Sequence, residues 1–222
     1  MKIMRADAAN TQKNLLAAAS EIFARSGYHD ATIAEICDRA GANLAAVNYH
    51  FGDKENLYRE AWRHAFRESL VRHPPDGGVS DDAAPEERLR GVVTTLLHRA
   101  ADENNQSFII AHKELANPTG LLQEVMAEAI QPLRLRMEAL VRELLGRGAP
   151  DMEVQFCAIS IVSQCISPIL VNRLDKNQQE DKGCFPRVDD IEAYAVHVVK
   201  FSLAGIHANR HGIERGQRRS KM

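Results

Sequence analysis

Residues 27–58 read GYHDATIAEICDRAGANLAAVNYHFGDKENLY, a run with two short helix signals and a tight turn between them. Thr32 is followed three residues later by Glu35, a capping-box spacing that predicts the start of the first helix. Gly41 supplies the turn, and Asn43 can cap the second helix. Such a helix-turn-helix either places its second helix in the major groove of DNA or serves as an ordinary packing unit. The pattern therefore predicts the element and leaves its use open.

Helices are also predicted on both sides of this element. Apolar residues recur at helical spacing before it, and Gly27 follows them at the position of a left-handed helix stop. After it, Asp53 caps a fourth helix that continues to about Arg72. We therefore expect a three-helix domain over residues 1–55 that contains the helix-turn-helix.

The composition favours helices throughout the chain. Of its 222 residues, 45% are hydrophobic and only 5% aromatic, which favours packed helices over an aromatic-rich sandwich or barrel. Helical periodicity continues beyond the first domain, with loops near residues 73–85 and 175–187. We expect an all-α fold in which residues 56–208 form a helical bundle.

The opening stretch resembles the DNA-binding signature of TetR-type transcriptional regulators. The family pattern has a glycine and an aromatic residue after the first helix, a Thr cap, an Ala-Gly turn, and Tyr-His-Phe followed by Lys-Glu-x-Leu, all of which this sequence contains. KELANPTG at residues 113–120 is similar to one subgroup of the family. The resemblance implies an N-terminal domain that binds operator DNA and a C-terminal domain that dimerises and binds a small effector.

The second helix of the motif carries most of the candidate DNA contacts. Asn43 and Asn48 can pair with adenine or with phosphate, and the small alanines beside them allow contact with thymine methyl groups. Because this helix has no Arg or Lys, it cannot make the common bidentate contact to guanine. We therefore expect A/T-leaning direct readout or readout of DNA shape. The candidates are Thr32, Asn43, Leu44, Ala45, Ala46, Asn48, Tyr49, His50 and Lys54.

The end of the motif provides candidate phosphate contacts. The resemblance implies that Tyr49 and His50 contact phosphates while Phe51 turns into the core. Lys54 comes at the start of the fourth helix, where exposed N–H groups and the helix dipole favour an anion, so we expect it to bind phosphate. Thr32 acts either as a helix cap alone or as a phosphate ligand as well.

Charge limits the kind of DNA contact that is expected. The net charge of −2 excludes a generally basic surface, and residues 1–60 hold seven basic and eight acidic side chains. Binding must then depend on helix ends and a few cations, with a moderate salt dependence. Residues 209–222 carry five cations and one acid, and we expect a disordered, solvated tail there rather than a DNA contact. The candidate cations are Arg5, Lys13, Arg39 and Lys54.

The last two helices, near residues 152–173 and 188–208, are apolar on more than one face, which a surface helix of a monomer should not be. In the resembling family the final two helices form a four-helix dimer interface, so that two reading helices address a palindromic operator. The predicted interface is the stripe of Ile191, Tyr194, Val198 and Phe201. The same helix has a second apolar stripe, and the sequence does not decide which of the two stripes faces the partner. The second stripe consists of Val196, Val199, Leu203 and Ile206.

A polar stripe on the first of these helices is a candidate effector contact. It consists of Ser160, Ser163, Gln164 and Ser167. The stripe is either a polar seam that bonds to neighbouring helices or solvent, or one wall of a ligand cavity. Further effector candidates are Phe108, His112, Met126 and Met137.

Other classes of protein are disfavoured. We find no nucleophile–base pair, paired carboxylates or Gly-rich phosphate loop, so we do not expect an enzyme. The four cysteines lack metal-ligand spacing, so we expect no metal and no cofactor. No stretch approaches the roughly 20 uncharged apolar residues that cross a bilayer, and no secretion signal is evident, so we expect a cytoplasmic protein without membrane contact.

Two alternatives stay open beside the main interpretation. One is a thiol-responsive DNA-binding regulator, although Cys157 and Cys165 lie roughly 12 Å apart on a straight helix, beyond the roughly 7 Å that a disulfide spans. The other is a ligand-binding or scaffold dimer whose DNA domain no longer reads sequence. The main interpretation is a dimeric transcriptional regulator, a repressor that a small-molecule effector releases from a palindromic operator.

Overall fold

The computed structural model describes residues 2–146, 148–175 and 187–219, and these residues form helices and loops with no strand. Side chains are described over residues 8–146, 148–173 and 187–215. The all-α prediction is therefore confirmed. The helices are α1 (Lys2–Asp30), α2 (Ile33–Ala40), α3 (Leu44–Phe51), α4 (Lys54–Arg72), α5 (Pro85–Ala101), α6 (Gln106–Ala116), α7 (Gln123–Leu145), α8 (Asp151–Asp175) and α9 (Ile191–Arg219).

The chain divides into two compact units that do not coincide with the predicted ranges 1–55 and 56–208. Helix α4 lies against α1, and α6 packs on both of them, so these helices share a core with the helix-turn-helix. The N-terminal unit is Met1–Arg72 with Glu103–Ile130, and the C-terminal unit is His73–Asp102 with Gln131–Met222.

An apolar core holds the N-terminal unit together. The indole N–H of Trp62 donates to the carbonyl of Ser107 at 3.1 Å and so joins α4 to α6. The hydroxyl of Ser20 donates to the carbonyl of Ala61 at 2.9 Å and joins α1 to α4. The largest fully buried side chains of this core include Trp62, Tyr58, Phe23, Leu15, Ile22, Ile36, Leu57 and Ile110.

Helix α1 is interrupted at Gly27, whose φ is 77° and ψ is −179°. Residues with a side chain rarely adopt this conformation, so a glycine is required where the helix breaks. The positive φ expected at Gly27 is therefore present, but its ψ is not left-handed helical, and the helix does not stop there as predicted. The helix ends later, at Asp30.

In the C-terminal unit, α5 packs against both α8 and α9, and α8 packs against α9. The predicted loop near residues 73–85 is confirmed, because the chain between α4 and α5 is not helical. Most of the predicted loop 175–187 lies outside the described residues. The buried side chains of this unit include Leu89, Val93, Leu97, Val141, Val154, Ile161, Cys165, Ile169 and Val198.

The C-terminal end of α9 differs from its predicted position. Helix α7, which contains Pro132, spans Gln123–Leu145. Helix α9 continues to Arg219, so the prediction of a disordered tail is wrong for residues 209–219. An ion pair of Arg210 with Glu214, 3.1 Å apart and four residues along the helix, favours this extension.

Helix α8 is also more apolar than expected. By length and composition alone, Asp151–Arg173 could cross a bilayer, so the expectation that no stretch approaches that character is wrong for this helix. The helix packs against α5 and α9. A core helix of a soluble protein can have the same length and apolar composition.

Candidate nucleic-acid interface

Side-chain caps set the starts of α2 and α3. The hydroxyl of Thr32 accepts from the backbone N–H of Glu35 at 3.2 Å. The Oδ1 atom of Asn43 accepts from the N–H of Ala46 at 3.0 Å, and Gly41 joins the two helices in the left-handed conformation with φ 62°. The predicted helix-turn-helix is therefore present. Because the cap of α3 uses only an oxygen, it does not commit the amide nitrogen of Asn43.

Helix α3 has a buried side and an exposed side. Val47 and Phe51 lie in the core, as the resemblance implied for Phe51. Ala46 and His50 are half-buried beside them. The remaining side chains are exposed, and we call them the recognition face: Leu44, Ala45, Asn48 and Tyr49.

The recognition face carries two large side chains that project from the fold. Tyr49 is 81% exposed and Leu44 is 58% exposed. The ring of Tyr49 meets the ring of His50 edge to face, with centroids 4.9 Å apart. Burying a large apolar side chain is favourable by about 1.5–3 kcal/mol, so this face is suited to contact with another surface.

Lys54 is held at the end of α1. Its Nζ atom donates to the carbonyl oxygen of His29 at 3.4 Å and lies 4.6 Å from the centroid of the Tyr28 ring. Burial lowers the pKa of the Lys54 ammonium, and the charge of Asp30 acts in the opposite direction. Sequence reasoning missed this contact, because nothing local in the sequence shows that residue 54 returns to residues 28–29.

The N-terminus of α4 is already capped. The carboxylate of Asp53 accepts from the backbone N–H of Asn56 at 2.7 Å. The carboxylate of Asp53 would repel a phosphate near this helix end. The N-terminus of α4 therefore binds an anion less favourably than expected. The ammonium of Lys54 is left as the phosphate candidate at this position.

Ion pairs engage two cations near the motif. Arg39, expected to contact phosphate, instead binds the carboxylate of Glu21, with Nη2 and Oε2 2.9 Å apart. Arg25 pairs with Glu35 in the same way. Lys13 is exposed, whereas the side chain of Arg5 lies outside the described residues. Because both ion pairs are solvent-exposed and contribute little, Arg39 stays a candidate cation for DNA beside Lys13.

The polar stripe of α8 faces outward. Ser160, Ser163 and Ser167 are exposed, and Gln164 is half-buried. The side-chain amide of Gln164 donates to the carbonyl of Ser160 in its own helix at 3.1 Å. These contacts fit a polar seam better than the wall of a cavity within the protomer.

The other effector candidates divide between the two units. Phe108, His112 and Met126 are half-buried in the N-terminal unit. Met137 is buried in the core of the C-terminal unit. An effector contact by any of them stays a prediction.

The four residues of the predicted dimer stripe of α9 differ in their burial. Val198 is fully buried within the protomer, so the prediction that it faces a partner is wrong. The reason is that α5 and α8 cover one side of α9. Phe201 is exposed, as is Val196 from the other stripe, while Ile191 and Tyr194 are half-buried.

Helix α8 exposes three apolar side chains that sequence reasoning missed. Met152, Phe156 and Ile159 recur at helical spacing and are 55–61% exposed. Their helical spacing is visible in the sequence. Because α8 is apolar on all sides, that spacing does not show which of its residues are buried and which are exposed. We call the exposed residues of the two helices the apolar face: Met152, Phe156, Ile159, Val196 and Phe201.

The cysteines do not favour a thiol sensor. Cys37 and Cys165 are buried, and burial raises the pKa of both thiols, that of Cys165 to about 12. A raised pKa disfavours the reactive thiolate. Cys157 is half-buried, with the side-chain amide of Asn209 3.5 Å from its sulfur, and Cys184 lies outside the described residues.

Two family models match this chain. The model described as "Bacterial regulatory proteins, tetR family" covers residues 15–61, which include the helix-turn-helix. The model described as "HTH-type transcriptional dual regulator CecR, C-terminal domain" covers residues 85–206, more than half of the chain.

Relatives with curated names are regulators of transcription. The chain is 29% identical to the HTH-type transcriptional dual regulator CecR of Shigella flexneri, over 74% of this chain and 76% of that protein. It is 27% identical to the "Probable acrEF/envCD operon repressor" of Escherichia coli (strain K12), over 78% and 80%. The expectation that the chain is not an enzyme is confirmed by these matches.

Solved structures share the fold. A fatty acid degradation regulator from Bacillus halodurans, FadR, superposes with a TM-score of 0.65 at 18% identity, over 88% of this chain and 95% of the other. A transcriptional regulator from Pseudomonas aeruginosa PAO1 superposes with a TM-score of 0.67 at 16% identity, over 92% of each chain.

Proposed function

Since the chain belongs to the TetR family of bacterial transcriptional regulators, we propose that it acts as a homodimeric repressor whose α3 helices read a palindromic operator. The chain is a DNA-binding transcriptional regulator, and regulators of its family typically dimerise. Since operator DNA lies in the bacterial cytoplasm, we infer that the protein acts there.

The observation that carries the DNA-reading proposal is the recognition face. Val47 and Phe51 anchor α3 in the core, and the helix projects Tyr49 at 81% exposure beside Asn48. A rigid helix with exposed amide, phenol and small apolar groups can enter a major groove. We propose that Asn48 contacts base edges and that Tyr49, His50 and Lys54 contact phosphates.

The test is fluorescence anisotropy with DNA from upstream of the protein's own gene, against scrambled DNA of equal length. We expect Asn48→Ala to weaken operator binding by about 1–3 kcal/mol, because it removes a base contact, and to leave binding to scrambled DNA unchanged. The matched control is Asn14→Ala on α1, since Asn14 lines a groove with Arg72 at the end of α4 away from Lys54. Equal affinity of the wild type for both DNAs would contradict the proposal.

Release by a small molecule follows from linkage. An effector that binds a DNA-incompetent arrangement more tightly than the competent one shifts the population by the ratio of the two affinities. We propose this mode of regulation for the chain because it is typical of the family. The candidate contacts in the N-terminal unit are Phe108, His112 and Met126. The other candidates, in the C-terminal unit, are buried Met137 and the α8 stripe, which fits a polar seam better: Ser160, Ser163, Gln164 and Ser167. Any compound that weakens operator binding in the same anisotropy assay identifies an effector.

A further inference from the structure

Glu114, near the end of α6, is a carboxylate that is only 9% exposed. The backbone N–H groups of Thr119 and Gly120 donate to its Oε1 atom at 2.9 and 3.0 Å. The hydroxyl of Thr119 lies 2.8 and 3.0 Å from the two carboxylate oxygens, and the phenol of Tyr58 donates to Oε2 at 3.2 Å. We call these four residues the Glu114 latch.

The latch joins distant parts of the N-terminal unit. Thr119 and Gly120 belong to the connection between α6 and α7, whereas Tyr58 belongs to α4. Because all the groups directed at Glu114 are donors, a carboxylate satisfies them and a neutral amide cannot. Burial and the charge of Glu114 raise the pKa of the Tyr58 phenol, which keeps it protonated as a donor.

A chain of direct contacts leads from the latch to Lys54. The ring of Tyr58 lies 5.0 Å from the ring of Tyr28 and packs edge to face on Phe23 at 4.7 Å. Tyr28 in turn lies under the ammonium of Lys54, 4.6 Å from it. Two aromatic rings, those of Tyr58 and Tyr28, thus connect Glu114 to the proposed phosphate contact.

The region beside the latch is partly packed and partly open. The ring of Tyr58 is 1% exposed and belongs to the apolar core, whereas a cavity of about 180 Å³ lies beside it, with a lining that includes Tyr28, Tyr58, Glu114 and Thr119. Side chains next to a cavity have fewer neighbours to resist displacement. The hydrogen bonds to Glu114 therefore add to the packing that orders this part of the unit.

We propose that Glu114 is a positioning residue for DNA binding, which holds the α6–α7 connection on Tyr58 and so keeps Tyr28 and Lys54 in the arrangement that meets phosphate. The inference rests on the proposed operator binding. It assigns to the KELANPTG segment, residues 113–120, a physical role in the DNA-binding unit.

The first test compares Glu114→Gln with Glu124→Gln, a matched change at an exposed glutamate of α7. For Glu114→Gln we expect the operator Kd to rise about tenfold, because the competent arrangement becomes less populated. The slope of log K against log salt should not change, since no phosphate contact is removed. Glu124→Gln should stay within about twofold of wild type. Tyr58→Phe, which removes one donor and keeps the ring, should fall between them.

The second test needs no DNA and separates this inference from the proposed function. In Glu114→Gln, amide hydrogen exchange should accelerate at Thr119 and Gly120 and also in residues 27–30 and 54–58, while thermal unfolding shows a folded protein. Acceleration confined to residues 119–120 overturns the coupling, even if the wild type binds no operator. Unchanged Kd in a folded Glu114→Gln, or a loss that matches only its unfolded fraction, overturns the positioning role.

Discussion

At the scale of single residues, Lys54 serves the fold and the proposed DNA contact together. Its ammonium donates to the carbonyl of His29 and lies over the ring of Tyr28. A cation beside the carbonyls that end α1 is favourable, and the aromatic ring adds an attraction of about 0.5–1 kcal/mol at exposed sites. The effects of removing Lys54 on stability and on DNA binding should therefore be measured separately.

We expect Lys54→Ala to reduce the salt slope of operator binding by about 1, because one phosphate contact is lost. The free energy of unfolding should change by less than about 1 kcal/mol, because the burial that lowers the pKa of the ammonium offsets its contacts with His29 and Tyr28. Urea unfolding and anisotropy at several salt concentrations measure the two effects. Lys54→Arg keeps the charge and should keep the slope. A Lys54→Ala protein with an unchanged slope would show that this ammonium does not meet phosphate.

At the scale of elements, α5 packs closely against the loop that precedes it. A Cβ added at Gly91 would lie 2.5 Å from the carbonyl oxygen of Asp76 and 2.7 Å from a methyl group of Val79. A Cβ at Gly77 would lie 2.5 Å from the carbonyl oxygen of Gly91. The loop backbone therefore packs directly on the helix, which is possible only with glycine at this position.

Gly91→Ala should lower the free energy of unfolding by about 1–3 kcal/mol through overpacking. Helix propensity alone predicts the opposite sign, a gain of about 1 kcal/mol. Gly212→Ala in α9 is the matched control, because a Cβ there meets open space. Urea unfolding of the three proteins decides between the two effects, and a Gly91→Ala protein at least as stable as wild type would exclude the close packing.

At the scale of the whole molecule, the apolar face leaves five large side chains of α8 and α9 without a covering partner in the isolated chain. Its five residues are 55–63% exposed in the isolated chain. Regulators of this family typically dimerise, and a palindromic operator needs two α3 helices. We therefore propose that a second copy of the chain covers the apolar face.

Phe156→Glu and Phe201→Glu should each shift the protein from dimer to monomer, because each places a charge where an apolar side chain would be buried. Sedimentation velocity measures the change, and operator affinity should fall with it. Val71→Glu is the matched control, since Val71 of α4 is 76% exposed outside the apolar face. Retention of the dimer in both Phe variants would place the interface elsewhere.

The helix-turn-helix was predictable because its signals are local. The caps at Thr32 and Asn43, the left-handed Gly41 and the break at Gly27 each act within a few residues. The sequence indicated Leu44, Ala45 and Asn48 as outward-facing candidates, whereas the burial of Val47 was found only in the structure. The ion pair of Arg39 with Glu21 was not predictable, because the two residues lie on different helices.

The sequence by itself determined the all-α class, the position of α3 in the helix-turn-helix and the family resemblance. Capping, glycine conformation and apolar periodicity impose these features over short distances along the chain. Only the tertiary structure decided that Val198 is core while Phe201 is exposed, that Lys54 lies on Tyr28, and that Glu114 binds Tyr58. These contacts join residues far apart in sequence, and which side of a helix is covered depends on the helices packed against it.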